Sequence, residues 1–231
     1  MILFCSSIDA EEQASLRITD ASPHYLTIEG GERISLSDLI WIQHGEHWRG
    51  SIGREVTRHK KRLKGKNRYG DSFEVFETGS WGWLQEYWVK KGFAVYSGRS
   101  PYPEDRKSVL LSAEQKARSQ RRRGWQHFRI LNGGEKAAFF GKSGFQIVEG
   151  LVRSTGKSKK YMYLNFGHDW RTDFTAAIPR ENMRIFKKKG WKLEDFDHKW
   201  IRVRGYIRTY NGPFMDIYYP DQVEILANRS D

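Results

Sequence analysis

Cysteine is all but missing from this chain: Cys5 is the only one. That excludes an intramolecular disulfide and any metal site built on thiolates. No apolar run is long enough to cross a bilayer as a helix. Familiar catalytic motifs are missing too. There is no Gly-x-Ser-x-Gly elbow, and a cysteine nucleophile so close to the start of the chain is improbable. Gly141-Lys142-Ser143 has the look of the end of a phosphate loop, but that loop needs glycine where Lys136 stands. His44 and His47 flank Gly45-Glu46, a spacing that could share a metal on a helix. Only His59 could supply a third ligand locally, so the stretch reads as a polar loop beside Trp41 and Trp48. No metal and no cofactor is expected.

Acids are in short supply as well. There are 28 Asp and Glu against 40 Lys and Arg, giving a net charge of +12. Such a balance favours polyanionic partners, whether nucleic acid, anionic lipid headgroups or acidic polysaccharide, without choosing among them. Aromatics are plentiful, with nine Trp, eleven Tyr and thirteen Phe. They favour strands and offer flat faces on which bases stack. With 38% hydrophobic residues in 231, one large or two small cored domains can form, and global disorder is excluded.

Residues 1–14 read as a leader. A short apolar run precedes Ile8 and Ala10, which occupy the −3 and −1 positions of a signal-type cleavage site, although no basic region comes first. If this is a truncated signal the protein is periplasmic or secreted. If it is a frayed leader or a first strand, the protein is cytoplasmic.

From Ser15 to Ile42 polar and apolar residues alternate, and Glu29-Gly30-Gly31-Glu32 predicts a hairpin turn. Seven cations with no acid follow between Arg58 and Arg68, on a loop, a barrel rim or an outer strand face. Phe73 to Phe76 predicts a strand, Trp83 to Lys91 a helix stopped by Gly92, and Phe93 to Tyr96 a strand. Ser108 to Arg123 predicts a helix capped by Ser108, with Leu110, Leu111, Ala113 and Ala117 inward. Arg121-Arg122-Arg123 at its end complements the helix dipole. Asn132 to Ser143, rich in glycine, predicts a linker.

Beyond it, strands are expected at Phe145–Val152, Tyr161–Phe166, Phe174–Ile178, Trp200–Ile207 and Phe214–Tyr218. Pro179 opens a short helix closed by Gly190, and Asn211-Gly212 makes a hairpin turn. Five strands with a helix between the third and fourth is the layout of an OB-type barrel. The expected fold is therefore α+β and mainly β, with two consecutive OB-type barrels over residues 15–131 and 144–231.

Several motifs carry a family likeness. Arg68-Tyr69-Gly70-Asp71, Trp83-Leu84-Gln85-Glu86, Val89-Lys90-Lys91-Gly92-Phe93-Ala94, Ser112 to Ala117 and Arg123-Gly124-Trp125 follow one another in a set order. This segment resembles the second half of a staphylococcal-nuclease-like (thermonuclease) domain, and Ser15 to Gln43 resembles its first hairpin. Residues 144–225 look like the OB-like module that follows the nuclease domain in some bacterial relatives. That likeness rests on Tyr163 to Trp170, Asp173-Phe174-Thr175 and Val203-Arg204-Gly205.

The resemblance implies calcium-dependent phosphodiester cleavage. That chemistry needs carboxylates on the cation, a Glu to activate water and two Arg on the phosphate. The matching positions here are Ser22 and Ile40 for the metal-binding Asp residues, Gln43 for the Glu, and Ser35 and Asp71 for the arginines. Every one has changed. Losing a single such group costs factors of about a hundred to a thousand in rate.

The expected function is thus an inactive nuclease-like protein that binds nucleic acid or another polyanion without sequence preference. Its expected contacts are Lys60, Lys61, Arg62, Lys157, Lys159, Lys160, Tyr161, Tyr163, Arg171, Arg202 and Arg204. The alternatives are a calcium-dependent phosphodiesterase with an altered site and an envelope module binding protein or anionic glycan.

Overall fold

A computed structural model describes residues 15–58, 70–73, 75–99 and 104–226. The expected leader, His59, Lys60, Lys61, Arg62 and the loop prolines Pro101 and Pro103 lie outside the described residues. In chain order the strands are β1 (Ser15–Ala21), β2 (Tyr25–Ile28), β3 (Arg33–Ser35), β4 (Leu39–Trp41), β5 (Glu55–Arg58), β6 (Phe76–Thr78), β7 (Gly82–Trp83) and β8 (Ala94–Tyr96). Then come β9 (Leu131–Asn132), β10 (Gly144–Leu151), β11 (Ser154–Lys157), β12 (Tyr161–Asn165), β13 (Thr175–Pro179), β14 (Trp200–Thr209), β15 (Pro213–Asp216) and β16 (Val223–Ile225). Among the described residues three α-helices join them: α1 (Leu84–Lys91), α2 (Glu104–Ser119) and α3 (Met183–Lys188). The fold is α+β and mainly β. No helix among the described residues is long and apolar enough to cross a membrane.

Contacts divide the chain into two compact units. One comprises Met1–Leu36 with Gly45–Trp88, the other Ser37–His44 with Val89–Asp231. The first unit holds an antiparallel sheet in the order β3-β2-β1-β5-β6-β7. Ile18, Leu26, Ile28, Ile34, Val56 and Phe76 are buried from its strands. Burying such a side chain is worth about 1.5–3 kcal/mol. A one-residue slip would turn a whole set outward, so the alternation sets the register, which shifts once, between Ile18 and Asp20 where β1 meets β2.

The second unit is built on a sheet in the order β11-β12-β13-β15-β14-β10-β9, with β16 also paired to β14. β13 and β15 run parallel, as do β9 and β10, and the other pairs are antiparallel. The main core gathers Val148, Leu164, Phe174, Ile178, Phe186 and Val203. A smaller cluster of Val95, Ala117, Trp125 and Ile147 lies beside it. β4 pairs with β8 in a separate two-stranded ladder.

Three expectations need correcting. First, α2 begins at Glu104, so Ser108 sits inside the helix and not at its cap. A long-range ion pair from Lys107 to Asp221 (3.1 Å) fixes the preceding turn, and no local cap signal reports that. Second, residues 132–143, though mostly exposed, are tied to the core at two points. Asn132 ends β9, and Phe139 is buried and stacks on Phe174 at 4.9 Å. A Cβ on Gly133 would lie 2.4 Å from the Phe166 ring, so this glycine permits close approach instead of supplying flexibility. Third, Arg122 and Arg123 cap a different helix. Their Nη1 atoms donate to the carbonyls of Lys90 (2.8 Å) and Lys91 (2.9 Å), at the C-terminus of α1.

Candidate nucleic-acid interface

β12 alternates as its sequence predicts. Met162 and Leu164 point into the core, which leaves Tyr161, Tyr163 and Asn165 on the opposite face. That face floors a cleft of about 450 Å³. Its walls come from Gly156 and Lys157 on β11, Thr175 on β13, Trp170 on the β12–β13 loop, and Tyr210, Asn211 and Phe214 around the β14–β15 hairpin. Trp170 and Tyr210 are each 50% exposed.

The rings form a row. Tyr161 lies 5.9 Å from Tyr163 and packs edge-on to Phe214 at 5.8 Å, and Phe214 meets Tyr210 edge-on at 5.3 Å. Edge-to-face packing of this kind holds rings without covering all their faces. Guanidinium groups lie over several of them. Arg171 sits 4.5 Å from the Trp170 centroid and Arg208 4.3 Å from that of Phe214.

Polar contacts fix the rest. The Arg208 Nε donates to Asp216 at 2.7 Å, which raises the Arg208 pKa against the opposing effect of burial. Burial raises the Tyr161 pKa, helped by the charge of Asp216, so the phenol stays protonated. Thr175 donates to Asn165 (3.3 Å), and the Tyr163 hydroxyl meets that of Ser158 (3.3 Å). Lys157 pairs with Glu194 at 2.7 Å, both exposed, and this hydrogen bond holds the Glu194 carboxyl below its ordinary range. Water screens such a pair, so a phosphate competes for the ammonium at little cost.

Of the expected contacts, Lys157 and Tyr163 line this cleft, Tyr161 and Arg171 adjoin its rings, and Lys159 and Lys160 are exposed on the β11–β12 turn. Arg202 and Arg204 must be withdrawn. Arg204 has no exposed surface. Its Nη1 donates to Tyr96 O (2.8 Å) and Glu114 Oε2 (3.0 Å), and its Nη2 to Glu114 Oε1 (3.2 Å) and to Glu224. Arg202 is held between Glu149 (2.6 Å) and Glu224 (3.1 Å). The even spacing along β14 does place these arginines on one face. Glu114 of α2 and Glu224 of β16 meet that face, so only its far end, at Tyr206 and Arg208, is exposed.

Burial works against ionisation of Glu224, but Arg204 and Arg202 outweigh it and hold its pKa below the ordinary 4.5. A depressed carboxylate contributes stability that is complete above the unfolded value and lost as pH falls through the folded one. Thermal melts should therefore fall as the pH drops below about 4.5, and Glu224→Gln should flatten that dependence. A variant with an equally steep profile would assign the loss to other groups.

The residues expected at degenerate catalytic positions are built into structural contacts. Ser22 Oγ accepts from the backbone N–H groups of His24 and Tyr25, forming the β1–β2 turn. Ser35 is buried, and its backbone N–H donates to Ser72 O at 2.8 Å. Asp71 is buried against Arg33 (3.0 Å), whose guanidinium lies 3.7 Å from the Tyr25 ring. In the other unit Ile40 packs against the smaller cluster, and the Gln43 N–H donates to Phe93 O. Among the described residues no group of three or more His, Cys, Asp or Glu could hold a metal ion.

Tyr210, Asn211 and Phe214 were legible only as a hairpin. The signal that could have marked them is Tyr210 beside the Asn-Gly tip, where a large ring must stand in solvent. No protein-family model matches the chain, and no curated protein matches it.

Proposed function

We propose that the protein binds single-stranded nucleic acid, with little sequence preference, in the aromatic cleft of its second unit. The observation that carries this is the convergence of Tyr163, Trp170 and Tyr210 in one cleft, over the buried ring of Phe214 and with Lys157 at its wall. Bases of any sequence stack on such rings, and cations track the backbone. The strand order supports reading the unit as an OB-type barrel. β10, β12, β13, β14 and β15 follow the order of its five strands, with α3 between the third and fourth and a parallel pairing of the third with the fifth. Such barrels take oligonucleotides on their second and third strands, between the loops after strands one and four. Residues 15–131, in this reading, are a staphylococcal-nuclease-like domain without hydrolytic activity. Its support is that Asp71, an acid at a phosphate-binding position of the family, is buried and ion-paired with Arg33.

Fluorescence anisotropy with a labelled oligothymidylate tests the proposal. Affinity should fall steeply with salt, with a log–log slope of about −3 if Lys157, Lys159, Lys160 and Arg171 all contact phosphate. Trp170→Ala should weaken binding by about 1–3 kcal/mol, the worth of one stacked base. Absence of binding at low salt would reject the reading in favour of a protein- or glycan-binding module. Calcium-stimulated cleavage would favour the phosphodiesterase.

A further inference from the structure

A second cleft, of about 380 Å³, lies at the end of α2 and shares no lining residue with the first. Arg118, Arg121 and Arg129 line it together with Trp125, Phe128 and Ile130, and no carboxylate does. The three guanidiniums are held differently. Arg129 is fixed by donating to the carbonyls of Trp125 (3.0 Å), Gln126 (2.6 Å) and Phe128 (3.1 Å). Arg118 reaches Glu149 through one nitrogen at 3.3 Å, but Arg202 already binds that carboxylate more closely. Arg121 is exposed, and its side chain has no partner among the described residues.

Its backbone conformation is one that glycine most often supplies. Arg121 has φ +48° and Arg123 φ +43°, in the left-handed region. That region is strained for a residue with a Cβ and costs glycine almost nothing. Arg123 is compensated, since it caps α1 and lies 4.5 Å from the Phe93 ring. The left-handed turn at Arg121 closes α2: its N–H donates to Arg118 O (2.9 Å) and that of Arg122 to Ala117 O (2.9 Å), the paired bonds of a helix end that glycine usually fills. The backbone there would accept glycine, so what the arginine side chain adds is a cation lining the cleft. Guanidinium groups recognise phosphate by paired hydrogen bonds, and an apolar floor suits a flat group attached to it.

We propose that Arg118, Arg121 and Arg129 form a site for a phosphate monoester on a planar body, of which a nucleoside monophosphate is the simplest case. The site is independent of the aromatic cleft. Isothermal titration of the full chain with adenosine monophosphate, inorganic phosphate and adenosine tests it. Adenosine monophosphate should bind most tightly, phosphate more weakly and adenosine not measurably. Arg121→Gly should weaken the nucleotide by about tenfold or more, the loss of one charged hydrogen-bonding partner. Its melting temperature should hold or rise, because glycine relieves the left-handed backbone. Trp170→Ala should leave this affinity unchanged. No nucleotide binding at low salt, or equal affinity in Arg121→Gly, would overturn the site. Loss of nucleotide binding in Trp170→Ala would move it to the aromatic cleft, and equal affinity for phosphate and nucleotide would overturn the planar body.

Discussion

Glu114→Ala should destabilise the second unit by about 3–5 kcal/mol, because it strands the charge of Arg204 in the interior. In a chain of this size that is a fall in melting temperature of roughly 6–20 °C. The argument starts from where Glu114 is. Its carboxylate is buried, receives both Nη atoms of Arg204, and accepts the backbone N–H of Tyr96 at 2.9 Å. One substitution therefore removes an ion-pair partner and the acceptor of a buried amide. Glu224 and the Tyr96 carbonyl remain on Arg204, which keeps the cost finite.

The comparison that isolates the charge is Arg204→Met combined with Glu114→Leu. A buried pair replaced by apolar groups of similar size often costs little, whereas a pair with one member removed costs much. The double variant should recover part of the loss, though not all, since Tyr96 N–H still lacks its acceptor and Glu224 loses one of its two arginines. Chemical denaturation measures both. A loss below about 1 kcal/mol for Glu114→Ala would mean that water reaches the site, and the account of Arg204 as a buried anchor would fail.

Arg204 also marks where sequence reasoning stops. The strand, its alternation and the Asn211-Gly212 turn were all legible, because each depends on neighbours in the chain. Whether a face of that strand meets solvent depends on α2, whose Glu114 lies 90 residues away. No local pattern carries that. The same holds at Gly133, where a glycine in a linker-like stretch turns out to face a distant ring, Phe166. By contrast Tyr161 and Tyr163 were readable as outward-facing, since Met162 and Leu164 claim the core side and nothing long-range reverses it. The cleft was half legible for the same reason. Its floor is one alternating strand, while its walls come from loops that only the tertiary fold brings beside it.

Those walls set the last expectation, that Gly212→Ala should cost about 2–5 kcal/mol and weaken oligonucleotide binding as well. Asn211 and Gly212 have φ +47° and +87°, the paired left-handed residues of a tight hairpin turn. Asparagine tolerates this and glycine is indifferent to it, but alanine gives up about 1–2 kcal/mol. A second cost arises from space. A Cβ at 212 would meet the carbonyl carbon and oxygen of Thr172 at 2.9 Å, in the loop that carries Trp170. Relieving that clash must move the Tyr210 hairpin away from the Trp170 loop and spread the two walls. Gly190→Ala is the matched control. Gly190 has φ +80° and nothing within 4 Å of the added methyl, so its cost is backbone alone and binding should survive. Thermal melts and anisotropy on the two variants separate the effects. If they proved equal in both measurements, Trp170 and Tyr210 would not depend on the contact between their loops, and the cleft would have to be held open by its floor.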